Sequence, residues 1–308
     1  MKKVLVATKL PEKALIQLKE FFDVTILENP SSMEFKKAVA PAEILIVRST
    51  PLVDKEIIEA GTNLKIIARA GAGLDNIDIV TAKEKNIQIL NTPGANSNAV
   101  AELVFAIILN LYRKIREADF LMKNDRWEKN LLVGNELNGK TIGIIGLGKI
   151  GRIVAGIANS FGMKVIGFDT FLSPDEFKKI NVTQVDSLGN MAKEADIITL
   201  HIPKTPETEN LINSDIIAKM KPTTTIINCS RGGIVNEKDL YEALKANKIL
   251  GAGIDTWENE PTANTDLKNL PNVIALPHIG ASTVEAQEKC STELVGQIVS
   301  IATMSKRL

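Results

Sequence analysis

The chain has 308 residues, a length that suggests two domains with a sizeable core in each. Its 37 basic and 37 acidic side chains cancel, which argues against a nucleic-acid binder, because such a protein needs a basic excess to offset phosphate charge. Hydrophobic residues at 44% and charged residues at 24% exclude general disorder. Two cysteines, Cys229 and Cys290, cannot staple a chain of this length, and two histidines, His201 and His278, leave no His-rich metal site, so no metal is expected. The N-terminus lacks the apolar run of a signal peptide, and no stretch reaches the ~18 apolar residues of a membrane helix. The plain expectation is a cytoplasmic protein in a reducing compartment.

From the N-terminus, short β-branched runs alternate with amphipathic stretches. Candidate strands are Lys3–Ala7, Asp23–Leu27, Glu43–Arg48, Lys65–Arg69 and Ile87–Asn91, with helical patterns at Glu12–Phe22 and Asp54–Ala60. Near-continuous apolar strands alternating with helices are the pattern of a parallel sheet covered on both faces. From Asn96 to about Met122 there is no strand signal; the run is apolar on most sides, then charged at Arg113, Lys114, Arg116 and Glu117, and reads as one long helix. The polar stretch Asn124–Lys140 reads as an excursion or linker. A second alternation follows, with strands at Thr141–Ile145, Lys164–Phe168, Asp196–His201, Thr224–Cys229, Leu250–Asp255 and Val273–Leu276, and a closing helix at Thr283–Met304. The expected class is α/β, with two doubly wound parallel-sheet domains.

Gly146-x-Gly148-x-x-Gly151 lies between the strand Thr141–Ile145 and a helical pattern at Ile150–Phe161. The first glycine permits the tight turn, the second lets a pyrophosphate approach the backbone, and the third lets helix and strand pack closely. The helix N-terminus offers free N–H groups and a positive dipole end to phosphates. Asp169 ends the next strand, 21 positions after Gly148. A carboxylate there accepts hydrogen bonds from ribose hydroxyls and repels a 2′-phosphate, which predicts NAD rather than NADP.

Three later strands end in residues able to bind and move protons. Arg231 follows the strand Thr224–Cys229 and is flanked by Gly232 and Gly233; arginine offers a two-point grip on a carboxylate. Asp255 ends the strand Leu250–Asp255, Glu258 and Glu260 follow it, and the residues alone do not choose among the three. His278 follows Pro277 and precedes Gly280, which suits a proton donor or acceptor near neutral pH. His201 is the rival; it lacks such a frame and is read as structural.

These segments together, with Asn228-Cys-Ser-Arg231-Gly-Gly, Glu260-Pro261 and Pro277-His278-x-Gly280-Ala281, resemble the D-2-hydroxyacid dehydrogenase family over essentially the whole chain. The resemblance implies that Arg231 binds the substrate carboxylate, that His278 is the acid/base, and that Glu260 pairs with it. It further implies that Asp255 meets the nicotinamide carboxamide, that Lys149 and Ile150 lie along the pyrophosphate, and that Ile202, Cys229, Ser230 and Gly280 line the cofactor. It reorders the domains: a flavodoxin-like substrate-binding domain from 1–97 plus 283–308, with an NAD-binding Rossmann domain, 98–282, inserted. The long helix near 98–121 is expected to support a homodimer.

Within the family, the segments Val47-Arg48-Ser49, Arg69-Ala-Gly-Ala-Gly-Leu-Asp75-Asn76 and Asn91-Thr-Pro-Gly-Ala-Asn96 are similar to the phosphoglycerate dehydrogenases. A phosphorylated 2-hydroxy acid needs more cationic grips than lactate does. Arg48 and Arg69 each end an apolar strand, and are expected to point into the cleft between domains. Gly71, Ala72, Gly73 and Asn96 are implied as further substrate contacts. A regulatory C-terminal domain carried by many such enzymes is not expected. The alternatives are a glyoxylate/hydroxypyruvate reductase or D-lactate dehydrogenase on the same fold, and, from another class, a non-catalytic NAD-sensing regulator.

Overall fold

A computed structural model describes residues 1–261 and 265–304. The last part of the expected segment 283–308, beyond residue 304, lies outside the described residues. The chain divides into two compact units, one formed by residues 1–96 with those from 281 onward, the other by residues 97–280.

The first unit begins β1 (Lys3–Val6), α1 (Glu12–Phe21), β2 (Asp23–Ile26), α2 (Ser32–Val39), β3 (Ile44–Val47), α3 (Lys55–Ala60), β4 (Ile66–Arg69), α4 (Ile79–Glu84) and β5 (Gln88–Asn91). Its strands are all parallel, in the order β2-β1-β3-β4-β5, the flavodoxin-like arrangement. The period-two alternation sorts the core. Val4, Val6, Ile44 and Ile46 pack on one face with Leu18 and Phe22 of the α1 region. Leu5, Leu45 and Val47 pack on the other with Phe35, Val39, Ile57 and Ile58. The helix α2 has no counterpart in the sequence expectation. It is started by a capping box in which the Ser31 and Glu34 side chains and backbones bond reciprocally.

The second unit opens with α5 (Ser97–Arg113) and α6 (Ile115–Lys123), followed by a 3₁₀ turn at Lys129–Leu132 within the stretch read as a linker. Then come β6 (Thr141–Ile145), α7 (Lys149–Ser160), β7 (Lys164–Phe168), α8 (Pro174–Lys179), β8 (Thr183–Gln184), α9 (Leu188–Glu194), β9 (Ile197–Leu200), α10 (Ser214–Ile217), β10 (Thr225–Asn228), α11 (Glu237–Lys245), β11 (Gly251–Ile254) and β12 (Val273–Ala275). The seven strands are parallel, in the order β12-β11-β10-β9-β6-β7-β8, the Rossmann order with one added strand. The final helix, α12 (Val284–Met304), belongs to the first unit. There Leu294, Val295 and Ile298 join Val4 and Leu18 in one core.

The single long helix expected up to Met122 is instead broken at Lys114, whose φ of 52° is left-handed. The break has a local cause. The Tyr112 carbonyl accepts from Asn135 N–H at 2.8 Å instead of from the next helical turn. The Arg116 N–H turns to Asn110 Oδ1, and the Arg116 guanidinium donates to the carbonyls of Pro271 and Val273 at 2.6 and 2.8 Å. Among the described residues, no helix is long and apolar enough to cross a membrane.

Candidate active site

The glycine turn follows β6. Gly146 has φ 88°, and a Cβ there would stand 2.6 Å from the His201 carbonyl oxygen and 2.5 Å from Ile202 Cγ2. Only glycine fits both the angle and the space. A Cβ on Gly151 would overlap the Gly146 carbonyl, so the third glycine is what lets α7 start directly against the strand. Gly148 is different: a Cβ there would meet nothing within 4 Å. Its lack of a side chain serves no packing inside the protein and leaves open space at the helix start, where no side chain caps α7. This combination suits a pyrophosphate.

Asp169, half-buried at the end of β7, accepts from Leu147 N–H at 2.7 Å within the glycine turn, and from Phe171 N–H at 2.8 Å. Arg152 on α7 donates to the Leu147 carbonyl at 2.9 Å, so the turn is held from both sides. His201 lies behind it. Its Nε2 meets Thr199 Oγ1 at 3.1 Å, and burial pushes its pKa down to about 3. A ring kept neutral in this way is placed as structural packing, the reading given above to the rival histidine.

Three neighbouring strands, β10, β11 and β12, carry the next group. They run in register, with Asn228 beside Ile254 and Ile254 beside Ala275, so Arg231, Glu260 and His278 leave the same edge of the sheet. Buried Asn228 organises the first turn: its Oδ1 accepts from Ser230 N–H and Oγ–H at 3.1 and 2.9 Å, and its Nδ2 donates to the Arg231 carbonyl at 2.9 Å. The Arg231 guanidinium donates through Nη1 to the Ser230 carbonyl at 2.7 Å. A Cβ on Gly232 would overlap the Trp257 carbonyl, which draws the loop after β10 against the loop after β11. Burial and the nearby Asp255 charge push the Cys229 thiol well up, so it is no thiolate nucleophile.

Glu260 Oε2 and His278 Nδ1 are 2.7 Å apart. The other carboxylate oxygen, Oε1, accepts from Trp257 N–H at 3.0 Å. The Trp257 indole N–H donates to the Leu276 carbonyl at 2.8 Å, two residues before the histidine. The pair is partly exposed, at 43% for the His278 side chain and 35% for Glu260. The hydrogen bond to Glu260 raises the His278 pKa above its ordinary value, against the pull of burial and of the Arg231 charge. Burial draws the Glu260 carboxyl upward, but the His278 bond, the Trp257 N–H and the charges of His278 and Arg231 outweigh it and leave it below its ordinary value.

Asp255 is fully buried, and its two carboxylate oxygens accept from Ile279 N–H and Gly280 N–H, each at 2.8 Å. Burial raises its pKa despite these bonds. Within the protein its contacts pin the turn carrying His278, which sits at a left-handed φ of 55°. A buried acid at a strand end, two residues before a tryptophan, gave no signal of that task.

In the first unit, Arg48 directly follows β3 and Arg69 ends the adjacent strand β4, with Val47 opposite Arg69. Burial lowers the Arg48 pKa. A Cβ on Gly71 would stand 3.0 Å from Arg69 Nη1, so the glycine leaves room for the guanidinium. Asn91 Nδ2 donates to the Ala72 carbonyl at 2.7 Å and holds the Gly71–Gly73 turn. Asn96 Oδ1 is buried with no hydrogen-bond partner among the described residues. The connecting roles of Asn76, Asn91 and Asn228 were missed by the sequence reading, although each asparagine stands at a strand end or turn, where its short amide can bond to nearby backbone.

Comparison with known proteins agrees with this geometry. The family described as D-isomer specific 2-hydroxyacid dehydrogenase, NAD binding domain, matches residues 105–280. A D-3-phosphoglycerate dehydrogenase of Synechocystis is 43% identical over 97% of this chain, but the chain spans only 54% of that relative's length. A hydroxypyruvate reductase of Thermotoga maritima is 46% identical over 92% of both chains. The crystal structure of D-lactate dehydrogenase from Aquifex aeolicus, complexed with NAD and lactic acid, aligns with a TM-score of 0.86 at 28% identity, covering 99% of this chain and 97% of that one. The two parallel sheets, the glycine turn and the family match lead to one assignment: this chain belongs to the D-isomer specific 2-hydroxyacid dehydrogenases and carries their NAD-binding domain.

Proposed function

We propose that the protein interconverts D-3-phosphoglycerate and 3-phosphohydroxypyruvate with NAD. The observation that carries the reading is the 2.7 Å pairing of His278 Nδ1 with Glu260 at the sheet edge shared with Arg231. With Nδ1–H directed to the carboxylate, Nε2 is the atom that exchanges a proton with substrate. In oxidation, neutral His278 takes the hydroxyl proton from C2 and Glu260 stabilises the imidazolium that forms. In reduction, protonated His278 returns it to the carbonyl oxygen. Arg231 grips the carboxylate and fixes the orientation of C2. NAD, when bound, accepts or returns the hydride; Gly146, Gly148, Gly151 and the α7 N-terminus hold its pyrophosphate, and Asp169 selects its unphosphorylated ribose.

Arg48 and Arg69 favour the phosphorylated substrate, since each adds a cation in the first unit, and Gly71, Ala72, Gly73 and Asn96 complete that side. Hydroxypyruvate reduction is the second reading, supported by the relative from Thermotoga maritima that the chain matches over 92% of its length. The exposed apolar side chains of Ile115, Phe120, Met122, Trp127, Leu131 and Val133 support a homodimer formed through this part of the second unit. Two free buried thiols support a reducing, cytoplasmic setting. The test is NADH absorbance over a panel of 2-hydroxy and 2-oxo acids. Turnover with D-3-phosphoglycerate well above that with D-glycerate and D-lactate is expected; preference for an unphosphorylated acid refutes the substrate, and no turnover with any acid refutes the enzyme.

A further inference from the structure

An asparagine amide offers one acceptor oxygen and two donor hydrogens. In Asn76 all of them are engaged with the two arginine-bearing segments of the first unit. Its Oδ1 accepts from Arg69 Nε–H at 3.1 Å. Its Nδ2 donates to the Arg48 carbonyl at 2.9 Å and to the Pro51 carbonyl at 3.0 Å. Its backbone carbonyl accepts from Val53 N–H at 2.8 Å, so the residue itself is fixed to the same segment. One half-buried side chain thus joins the end of β4 to the turn that follows β3.

We propose that Asn76 is a positioning residue for substrate: it sets the Arg69 guanidinium and the Arg48 turn in one fixed relation, and thereby sets the affinity for a phosphorylated 2-hydroxy acid. This rests on the reading of Arg48 and Arg69 as grips for the phosphate. The physical basis is preorganisation. A free arginine side chain loses much rotamer freedom when it binds an anion, whereas one already tethered through Nε presents its planar fork at a set angle. The tether to two backbone carbonyls also fixes where the second arginine begins. Asn76 touches neither the reacting carbon nor the proton, so its effect belongs in KM rather than in kcat.

The test is steady-state kinetics of the full chain with NAD, on D-3-phosphoglycerate and on D-glycerate, for Asn76→Ala, Asn76→Asp, Arg69→Ala and the Asn76→Ala/Arg69→Ala double variant. Arg69→Ala is expected to raise KM for phosphoglycerate on the order of 100-fold, as for loss of a charge-assisted pair. Asn76→Ala should raise it about tenfold, with kcat and D-glycerate KM within about twofold, and should add little in the double variant, because both act on one grip. Should Asn76→Ala fail to fold, Asn76→Asp carries the test. It keeps the shape and the acceptor to Arg69, sets a negative charge beside the guanidinium, and should raise phosphoglycerate KM more than tenfold. The proposal is overturned if Arg69→Ala raises phosphoglycerate KM while the Asn76 variants leave it unchanged, or if they damage both substrates alike. If Arg69→Ala itself leaves the ratio of the two KM values unchanged, the phosphate reading of Arg69 falls, and the role of Asn76 with it.

Discussion

Gly232 sits so close to the Trp257 carbonyl that a β-carbon has no room between them. This contact holds the Arg231 loop against the Glu260 loop, and the obstructing atom is backbone, which cannot swing aside. Gly232→Ala should therefore force both loops apart. The expected result is a loss of several °C in melting temperature, corresponding to roughly 2 kcal/mol or more, together with a fall in kcat/KM. A variant as stable and active as the parent would show that the loops are not locked in this way.

Gly148→Ala should behave in the opposite manner. A methyl group there meets nothing inside the protein, so the melting temperature of the unliganded chain should change little. On the proposed placement of the pyrophosphate at this turn, the methyl group would obstruct it, and NADH titration by fluorescence should show Kd raised about tenfold or more. Undiminished NADH affinity would remove the second glycine from the cofactor site.

The His278–Glu260 pair makes a pH prediction with a definite sign. Glu260 raises the His278 pKa above its ordinary value, so the protonated form that the proposed mechanism uses for reduction should persist to higher pH than for an isolated imidazole. Glu260→Gln should move the fall in reductive kcat/KM to lower pH, and should shift the profile more than it lowers the maximum. Folding stability follows the same linkage: the contribution of His278 is fully present below its unfolded value, and is lost as pH rises through the elevated folded value. The Gln variant should lose that dependence in thermal melts taken between about pH 6 and 9, and an unmoved rate profile would separate the two residues functionally.

His278→Ala and Arg231→Ala should each lower kcat/KM on the order of 10²-fold or more, one as general acid/base and the other as substrate clamp. The KM for NAD should change far less than that for the acid. A His278→Ala enzyme with near-normal kcat in both directions would require another proton carrier.

The fold was legible because its strands are short apolar runs whose neighbours alternate between faces; Ile44 to Val47 is buried at every position. The glycine turn was legible because a tight turn and a close strand–helix approach leave few alternatives at Gly146 and Gly151. The break at Lys114 was not, since the periodicity of a helix carries across a single left-handed residue, and the groups that reward the turn, the carbonyls of Pro271 and Val273, lie more than 150 positions further on. Arg231 and His278 could be placed at strand ends from sequence alone, because each follows a short apolar run. The choice of Glu260 over Asp255 and Glu258 came from family likeness, and the structure gives each a separate partner: Glu260 bonds His278, Asp255 bonds the backbone at Ile279 and Gly280, and Glu258 exchanges bonds with Glu237.

The core that joins Val4 and Leu18 to Leu294 and Ile298 has a consequence for truncation. The second unit holds its described strands within residues 97–280 and draws none of them from the last helix. One face of the first sheet is covered jointly by α1 and α12, so removal of α12 strips part of that cover. A chain truncated at residue 280 should therefore bind NADH yet be protease-sensitive in its first 96 residues.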